Sequence, residues 1–428
     1  MTDPLRLGIA GLGTVGTGVV KIIRQKANLL AARTGRPIEI TAVSARSRDK
    51  DRDVSLSGYA WEDDPVALAT RDDIDVFVEL MGGADGPAKA ATEAALAAGK
   101  DVITANKAML AIHGQALAEL AEDKGHVIRF EAAVAGGIPV VKALTEGLAG
   151  NDVTRVMGVM NGTCNYILTR MEDSGLPYEE VFAEADALGY LEADPTLDVG
   201  GIDAGHKLSL LAAIAYGTKV DFDGVDLEGI QRISVEDIET AASMGFRIKL
   251  LGVAQMTGRG LEQRMSPCLV PADSPLGQLQ GGTNMVVLEG DAVGQIVLRG
   301  AGAGEGPTAS AVMSDVIEIA RGTRLTTFGQ PAAGLETAVP AKSSTPAQYY
   351  IRMVLADKPG AMAKIATVLG DAGISIDRMR QTRHDDTAAP VVFVTHRTSR
   401  DNLDTALAAF PGTGVLLGEA VAIRIEDV

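Results

Sequence analysis

Leu5-Arg6-Leu7-Gly8-Ile9-Ala10-Gly11-Leu12-Gly13-Thr14-Val15-Gly16 decides the architecture of this chain. An apolar strand pattern runs straight into a GxGxxG turn. A helical pattern follows from about Thr17 to Ala32, with Val19, Val20, Ile22 and Ile23 apolar. Gly35-Arg36-Pro37 ends it, and Ile38 to Val43 reads as the next strand. The result is a βαβ unit of the length that binds dinucleotides. A glycine-rich turn alone is a weak motif, and a plain βα turn is the alternative. The strand before it and the helix after it supply the required context. Gly11 permits the tight turn, Gly13 lets backbone approach a pyrophosphate, and Gly16 allows close helix packing. Thr14 and Val15 belong to the same turn, and the helix N-terminus that follows offers free N–H groups to the phosphates.

Strand patterns recur at Asp75 to Leu80, Asp101 to Thr104 and His126 to Phe130. Between them lie Ala-rich helical stretches, Pro87 to Ala98 and Gly114 to Asp123. Strand and helix in alternation predict an α/β, doubly wound parallel sheet. We assign it to residues 1–133, completed by about 305–331. Beyond Glu131 strands and helices mix, which predicts an α+β domain over 134–304. Residues 332–347, rich in Ala, Pro, Ser and Thr, read as a linker. Residues 348–428 show the order βαββαβ, the ferredoxin-like split arrangement.

The 428 residues agree with about three domains at roughly 150 residues each. The net charge of −17 repels a phosphate backbone, and aromatics at 4% leave little surface for stacked bases. Nucleic acid and membrane surfaces are therefore not expected as partners. An anionic nucleotide remains open, because local N–H groups and a few cations suffice for it. Two cysteines, Cys164 and Cys268, make no framework. With no apolar leader evident at Met1 to Arg6, they point to the reducing cytoplasm.

An NAD-preferring site places an acid at the end of the second strand. Here that end reads Val43-Ser44-Ala45-Arg46-Ser47-Arg48. Arg46 and Arg48 are placed to meet a 2′-phosphate, which favours NADP over NAD; two solvated arginines are the alternative. Asn106 and Lys107 follow another strand end, at the edge where such sheets take their ligands.

The densest chemistry lies in Gly189-Tyr190-Leu191-Glu192-Ala193-Asp194-Pro195-Thr196-Leu197-Asp198-Val199-Gly200-Gly201-Ile202-Asp203-Ala204-Gly205-His206-Lys207. A helix from about Ile202 to Leu211 puts Asp203 and Lys207 at i and i+4, on one face. Carboxylates suit the ammonium of an amino-acid substrate. A lysine takes a proton from an alcohol if a second lysine or partial burial lowers its pKa. A solvated acidic loop with an ion-paired helix is the alternative. Cys164 has no identifiable base and reads as a buried apolar residue. The five histidines show no zinc spacing.

Taken together, GLGTVG at 11–16, VELMGG at 78–83, ITANKA at 103–108, NGTCNYIL at 161–168, GYLEADPTLDVGGIDAGHKL at 189–208 and GAGEGPTASAV at 302–312 resemble homoserine dehydrogenases, in the long bacterial form with a C-terminal ACT domain. The resemblance spans nearly the whole chain. It implies interconversion of L-homoserine and L-aspartate 4-semialdehyde with NADP or NAD, in threonine and methionine biosynthesis. Carried over by position, Lys207 matches the family's catalytic acid/base. Lys107 matches a second lysine that touches cofactor and substrate. Glu192, Asp198 and Asp203 match positions around the substrate's amino group and hydroxyl. Gly162 and Thr163 match backbone near the substrate. Gly189 and Glu192 match the nicotinamide side, and Gly304 matches a cofactor contact. A monovalent cation, usually sodium, is implied at the Glu131 side chain and the backbone of Val134, Gly136 and Ile138. The ACT segment implies an amino-acid effector, threonine, and the family implies a homodimer or homotetramer. Leu191 stands where the family more often has a small residue, and Cys164 where Thr is common. Two rivals remain: a thioester-forming semialdehyde dehydrogenase, and a non-catalytic sensor of dinucleotide and amino acid.

Overall fold

The computed structural model describes residues 3–191, 194–381 and 387–428. Six strands form the first sheet: β1 (Leu5–Ala10), β2 (Ile38–Ser44), β3 (Ala60–Glu62), β4 (Val76–Glu79), β5 (Asp101–Thr104) and β6 (Ile128–Arg129). They are all parallel, in the order β3-β2-β1-β4-β5-β6. The chain leaves β1 on one side for β2 and β3 and returns on the other for β4 to β6. A crevice therefore opens beyond the carboxyl ends of β1 and β4, where open α/β sheets bind ligands. Helices cover both faces, which is why the strands are near-continuously apolar. Ile9, Val43 and Val78 pack on one side with helices Thr14–Gln25 and Glu305–Ala320. Phe77 and Val102 pack on the other with helices Pro87–Ala97 and Lys107–Asp123.

The helix expected from about Thr17 to Ala32 differs in detail. It begins at Thr14, directly after Gly13, and breaks at Lys26 into Thr14–Gln25 and Ala27–Thr34. The second piece turns Leu30 into the core, and Gly35 at φ +77 ends it.

The strands in the middle and at the end of the chain join into one sheet. In order, its strands are Gly294–Ala301, Thr283–Gly290, Val153–Val159, Phe246–Thr257, Gly260–Pro271, Leu416–Ile425, Gln348–Ala356, Ala388–Thr395 and Ile376–Gln381. Along this order neighbours are antiparallel except at the junction; a short strand off the path, Asp226–Leu227, also pairs in parallel with Gly260–Pro271. There Cys268 pairs with Arg424 and Leu269 with Ile425 in parallel. Asp237, fully buried, fastens the same junction: Arg352 Nε donates to its Oδ1 at 2.5 Å and the Tyr350 hydroxyl at 3.0 Å. The last domain follows the expected βαββαβ order, with helices Ala361–Asp371 and Arg400–Ala409 over its own core.

The stretch 332–347 is docked along its length and does not behave as a free linker. Ala332 and Leu335 are buried, Thr218 bridges to Glu336, and the Leu261 N–H donates to the Val339 carbonyl at 2.8 Å. Its scattered apolar side chains find sites that composition does not reveal. No helix among the described residues is long and apolar enough to cross a membrane.

Candidate active site

Each glycine of the first motif has a separate reason. Gly11 sits at φ +98, and a Cβ there would stand 2.3 Å from the Leu80 carbonyl oxygen. The β1 turn can therefore pass against the end of β4 only as glycine. Nothing lies within 4 Å of a Cβ placed at Gly13, so the backbone there faces open space. A Cβ at Gly16 would come 2.0 Å from the Gly11 carbonyl oxygen, so Gly16 seats the helix on its own turn. The close helix–helix approach belongs instead to Gly18, where a Cβ would lie 2.9 Å from Ala309 Cβ. Gly13 caps the helix without a side chain, so the N–H groups from Thr14 onward are left for an anion.

Beside this turn lies a crevice of about 540 Å³ lined by Gly11, Gly13, Arg46, Lys50, Arg52 and Gly82 among others. Arg48 turns away, its guanidinium 5.8 Å from the Trp61 ring centroid. Arg52 is committed to the backbone: its Nε donates to Leu12 at 3.0 Å. Arg46 and Lys50 line the crevice as well.

A second cleft of about 550 Å³ continues from Val15 and Ala105 to the 189–191 segment. Three of the predicted ionisable residues converge in it. Asp203 Oδ2 lies 2.6 Å from Lys207 Nζ, and Asp203 Oδ1 lies 2.8 Å from Lys107 Nζ. Helix Ile202–Tyr216, longer than expected, holds the first pair one turn apart. Lys107 arrives from the start of its helix at the end of β5, where Asn106 caps it by accepting from Met109 N at 3.1 Å. Burial opposes the charge on Asp203, but Lys207 and Lys107 outweigh it and hold the carboxyl well below the usual range. Lys207, 9% exposed, also donates to the Met160 carbonyl at 2.9 Å. His206 faces elsewhere and packs on Phe222.

The remaining predicted residues are distributed around this centre. Gly162, Thr163, Gly189 and Asp198 line the cleft, as does Leu191. Thr163 Oγ1 donates to the Tyr190 carbonyl at 2.9 Å, joining two walls. Gly304, at φ +116, is the cap of helix Glu305–Ala320, just past lining residues 301–303. Glu192 lies outside the described residues. Cys164 is fully buried, its Sγ 3.3 Å from the Asp198 carbonyl, and burial pushes its thiol well up.

Three polar residues escaped the sequence reading. Asn161 caps helix Gly162–Ser174 through its Oδ1 and donates Nδ2 to Asp198 at 2.9 Å. An Asn directly before a helical run is a capping signal, so it was detectable. Asn284 lines the cleft, donates to the Met160 carbonyl at 3.0 Å, and has a buried Oδ1 without a partner. Glu79, fully buried, accepts from the N–H groups of Met81 (2.7 Å) and Gly82 (3.2 Å) and from Thr104 Oγ1 (2.6 Å). An acid within the apolar run Val76-Phe77-Val78-Glu79 was its signal. It fixes the 80–83 loop over the crevice.

The residues expected to hold a cation lie on one buried loop. Glu131 is buried and accepts from the backbone of Val141 and Lys142, each at 2.9 Å. Burial and then Asp315 push its carboxyl up to about 7, against the opposing hydrogen bonds. Ala135 (φ +55) and Gly136 (φ +54) turn the loop through the left-handed region. No hydrogen bond among the described residues reaches the buried carbonyls of Val134 and Gly136, while the Ile138 carbonyl accepts from Val140 at 2.8 Å. A buried carboxylate at odds with its charge, beside unpartnered carbonyls, fits a hard monovalent cation.

Fold and site define a dinucleotide-binding oxidoreductase. Residues 11–131 match the family model for the NAD binding domain of homoserine dehydrogenase, 139–317 the homoserine dehydrogenase model, and 349–410 the ACT domain. A homoserine dehydrogenase of Neisseria gonorrhoeae is 42% identical over 99% of both chains, and one of Pseudomonas aeruginosa is 40% identical over the same shares. The crystal structure of a homoserine dehydrogenase from Thiobacillus denitrificans superposes with TM-score 0.93 at 38% identity, covering 99% of this chain and 98% of that one. A hyperthermophilic archaeal homoserine dehydrogenase in complex with NADPH superposes with TM-score 0.63 at 26% identity, over 74% of this chain and 97% of that one. The chain belongs to the homoserine dehydrogenase family.

Proposed function

We propose that this protein interconverts L-homoserine and L-aspartate 4-semialdehyde, with Lys207 moving the proton on the substrate oxygen. The observation that carries the assignment is Asp203 shared by Lys207 and Lys107 in the cleft that continues from the dinucleotide turn. A nicotinamide bound there supplies a hydride to the aldehyde carbon, or accepts one from the alcohol carbon. In reduction the Lys207 ammonium gives its proton to the carbonyl oxygen as the hydride arrives at carbon. In oxidation the neutral amine takes the hydroxyl proton. Asp203 orients Lys207, and Lys107 helps hold that carboxylate in place. Asp198, positioned by Asn161, and Asp203 border the substrate's amino group and hydroxyl, a role Glu192 shares by the family resemblance. Gly162 and Thr163 border the substrate; Gly189 and Gly304 border the cofactor. Asn284 Oδ1 offers the substrate an acceptor.

NADP is the favoured cofactor, on the strength of Arg46 and the missing acid after β2. Sodium held by Glu131, Val134, Gly136 and Ile138 would order the loop that also lines the cleft at Gly136. Its part is structural, and no proton or hydride passes through it. Threonine is the proposed effector of the ACT domain, and the pathway is threonine and methionine biosynthesis. A homodimer or homotetramer is supported by strand Gly294–Ala301, an edge with Val297 exposed that a second copy can cover. Cysteines 164 and 268, both free and buried, support a cytoplasmic setting. The buried Cys164 speaks against a thioester route, and the paired lysines against a mere sensor. The deciding assay is homoserine turnover with NADP and with NAD, repeated with threonine. Absence of turnover with either cofactor overturns the assignment.

A further inference from the structure

A cavity of about 240 Å³ lies where three parts of the chain meet. Strand Gly260–Pro271 contributes Arg264, the docked 340–344 segment contributes Ser344, and the ACT domain contributes Tyr349 and Arg400. Asp226 and Glu228 close the remaining side. The cavity lies outside the cofactor crevice and the substrate cleft, and none of its lining residues belongs to either.

Three polar atoms of its lining residues are buried without a hydrogen-bond partner: the donors Arg264 Nε and Ser344 Oγ, and the acceptor Gln263 Oε1. Arg264 is 5% exposed, and its two terminal nitrogens are held by Glu262 and Glu426. Its guanidinium is therefore fixed, with Nε the nitrogen left without a partner. Buried donors are rarely left unused, and such a gap marks a missing water, ion or ligand. An N–H and a hydroxyl, both on residues that line one cavity, suit a carboxylate. Groups of the opposite character, Asp226 and Glu228, line the same cavity. Burial pushes the Glu228 carboxyl up; Arg400 opposes this, and neighbouring Asp226 adds to it. A cationic group would relieve that pair. The volume holds about eight waters at roughly 30 Å³ each, the size of a guest with a similar number of heavy atoms.

We propose that this cavity binds a small α-amino acid as its zwitterion, carboxylate toward Arg264 and Ser344 and ammonium toward Glu228 and Asp226. The site is within one chain, at the joint between the catalytic and ACT domains. Its regulatory meaning rests on the effector reading given above; its existence does not. Strand Gly260–Pro271 pairs with Phe246–Thr257, where Met265 opposes Gly252. Gly252 in turn opposes Gly158, two residues before the Met160 carbonyl that receives Lys207. A guest that shifts Arg264 thus acts two strand pairings from the catalytic lysine. Coupling of this kind needs the guest to favour one arrangement of the joint over another.

The test uses the full chain, thermal melts with each proteinogenic amino acid in turn, and homoserine turnover in parallel. Glu228→Gln removes the ammonium partner, and Ser344→Leu fills the cavity; both leave the Arg264 ion pairs intact. At least one amino acid is expected to raise the melting temperature of the wild type. Its affinity should fall by about tenfold or more in both variants, a loss of about 1.4 kcal/mol. Turnover without amino acid should be unchanged. If no amino acid stabilises the wild type, or if both variants respond as the wild type does, the site is overturned. If turnover still responds in variants that respond normally, the effector reading stands and its site lies elsewhere. If binding depends on the cavity but turnover ignores the ligand, the site stands and the effector reading falls.

Discussion

Asp203 Oδ2 and Lys207 Nζ lie 2.6 Å apart on successive turns of one buried helix, while Lys107 holds the other carboxylate oxygen at 2.8 Å. One acid thereby sets the position of two cations. Replacing Lys207 by Ala is expected to lower kcat by about 10²–10⁴, the range for a general acid or base. Cofactor binding, followed by fluorescence titration, should stay near wild type. Asp203→Asn should also lower kcat, because the two ammonium groups then face each other across a neutral amide. Near-normal kcat in the Lys207 variant would remove it from the chemistry.

Cofactor choice is predicted to rest on Arg46. A charge-assisted hydrogen bond to phosphate contributes about 1.5–3 kcal/mol. Arg46→Ala should therefore raise KM for NADP by about tenfold or more and leave KM for NAD unchanged. An equal rise for both cofactors would place Arg46 on a shared part of the molecule. Lys50→Ala should act in the same sense, more weakly.

Glu131 should make stability depend on pH and on cations together. Its carboxyl is raised to about 7 in the folded chain, chiefly by burial and Asp315, against about 4.3 unfolded. The folded state thus binds the extra proton between these values. The stability is fully present below about pH 4.3 and is lost as pH rises through about 7, roughly 4 kcal/mol in all. A bound monovalent cation takes the proton's place. Sodium chloride should raise the melting temperature at pH 8 more than choline chloride does, and little at pH 5. Glu131→Gln should flatten both responses. Equal gains in the two salts would argue against a cation at this loop.

The junction between catalytic and ACT domains should depend on Asp237. Removing it leaves Arg352 half-buried without its carboxylate, and breaking such a pair costs about 3–5 kcal/mol. Asp237→Ala should lower the melting temperature and speed hydrogen exchange across Gln348–Ala356. If exchange there stays slow, the strand pairing alone holds the joint.

The readable parts of the chain were those whose signals are local. GLGTVG gave the turn, and the spacing of Asp203 and Lys207 placed both on one helical face. Lys107 was placed at a strand end by the sheet rule, but nothing in the sequence showed that it meets Asp203. Arg46 and Arg48 read alike, and only the nearby Trp61 ring separates them. Gly16 and Gly18 could not be told apart, because the partner of Gly18 lies almost three hundred residues away, at Ala309. Asn284 acts through contacts between distant segments and carries no local signature. The union of the two sheets rests on two residue pairs, fewer than any pattern of alternation can encode.

Those two pairs bear on how the molecule is put together. Strand Leu416–Ile425, late in chain order, occupies an interior place between Gln348–Ala356 and Gly260–Pro271. During synthesis Asp226–Leu227 covers the flank of Gly260–Pro271 early at Arg264 and Met265, but its stretch at Cys268 and Leu269 waits bare until nearly the whole chain has emerged. A bare flank of this sort invites pairing with other chains. Loss of residues 416–428 should accordingly show first as aggregation of the nascent enzyme, before any defect in its chemistry can be read.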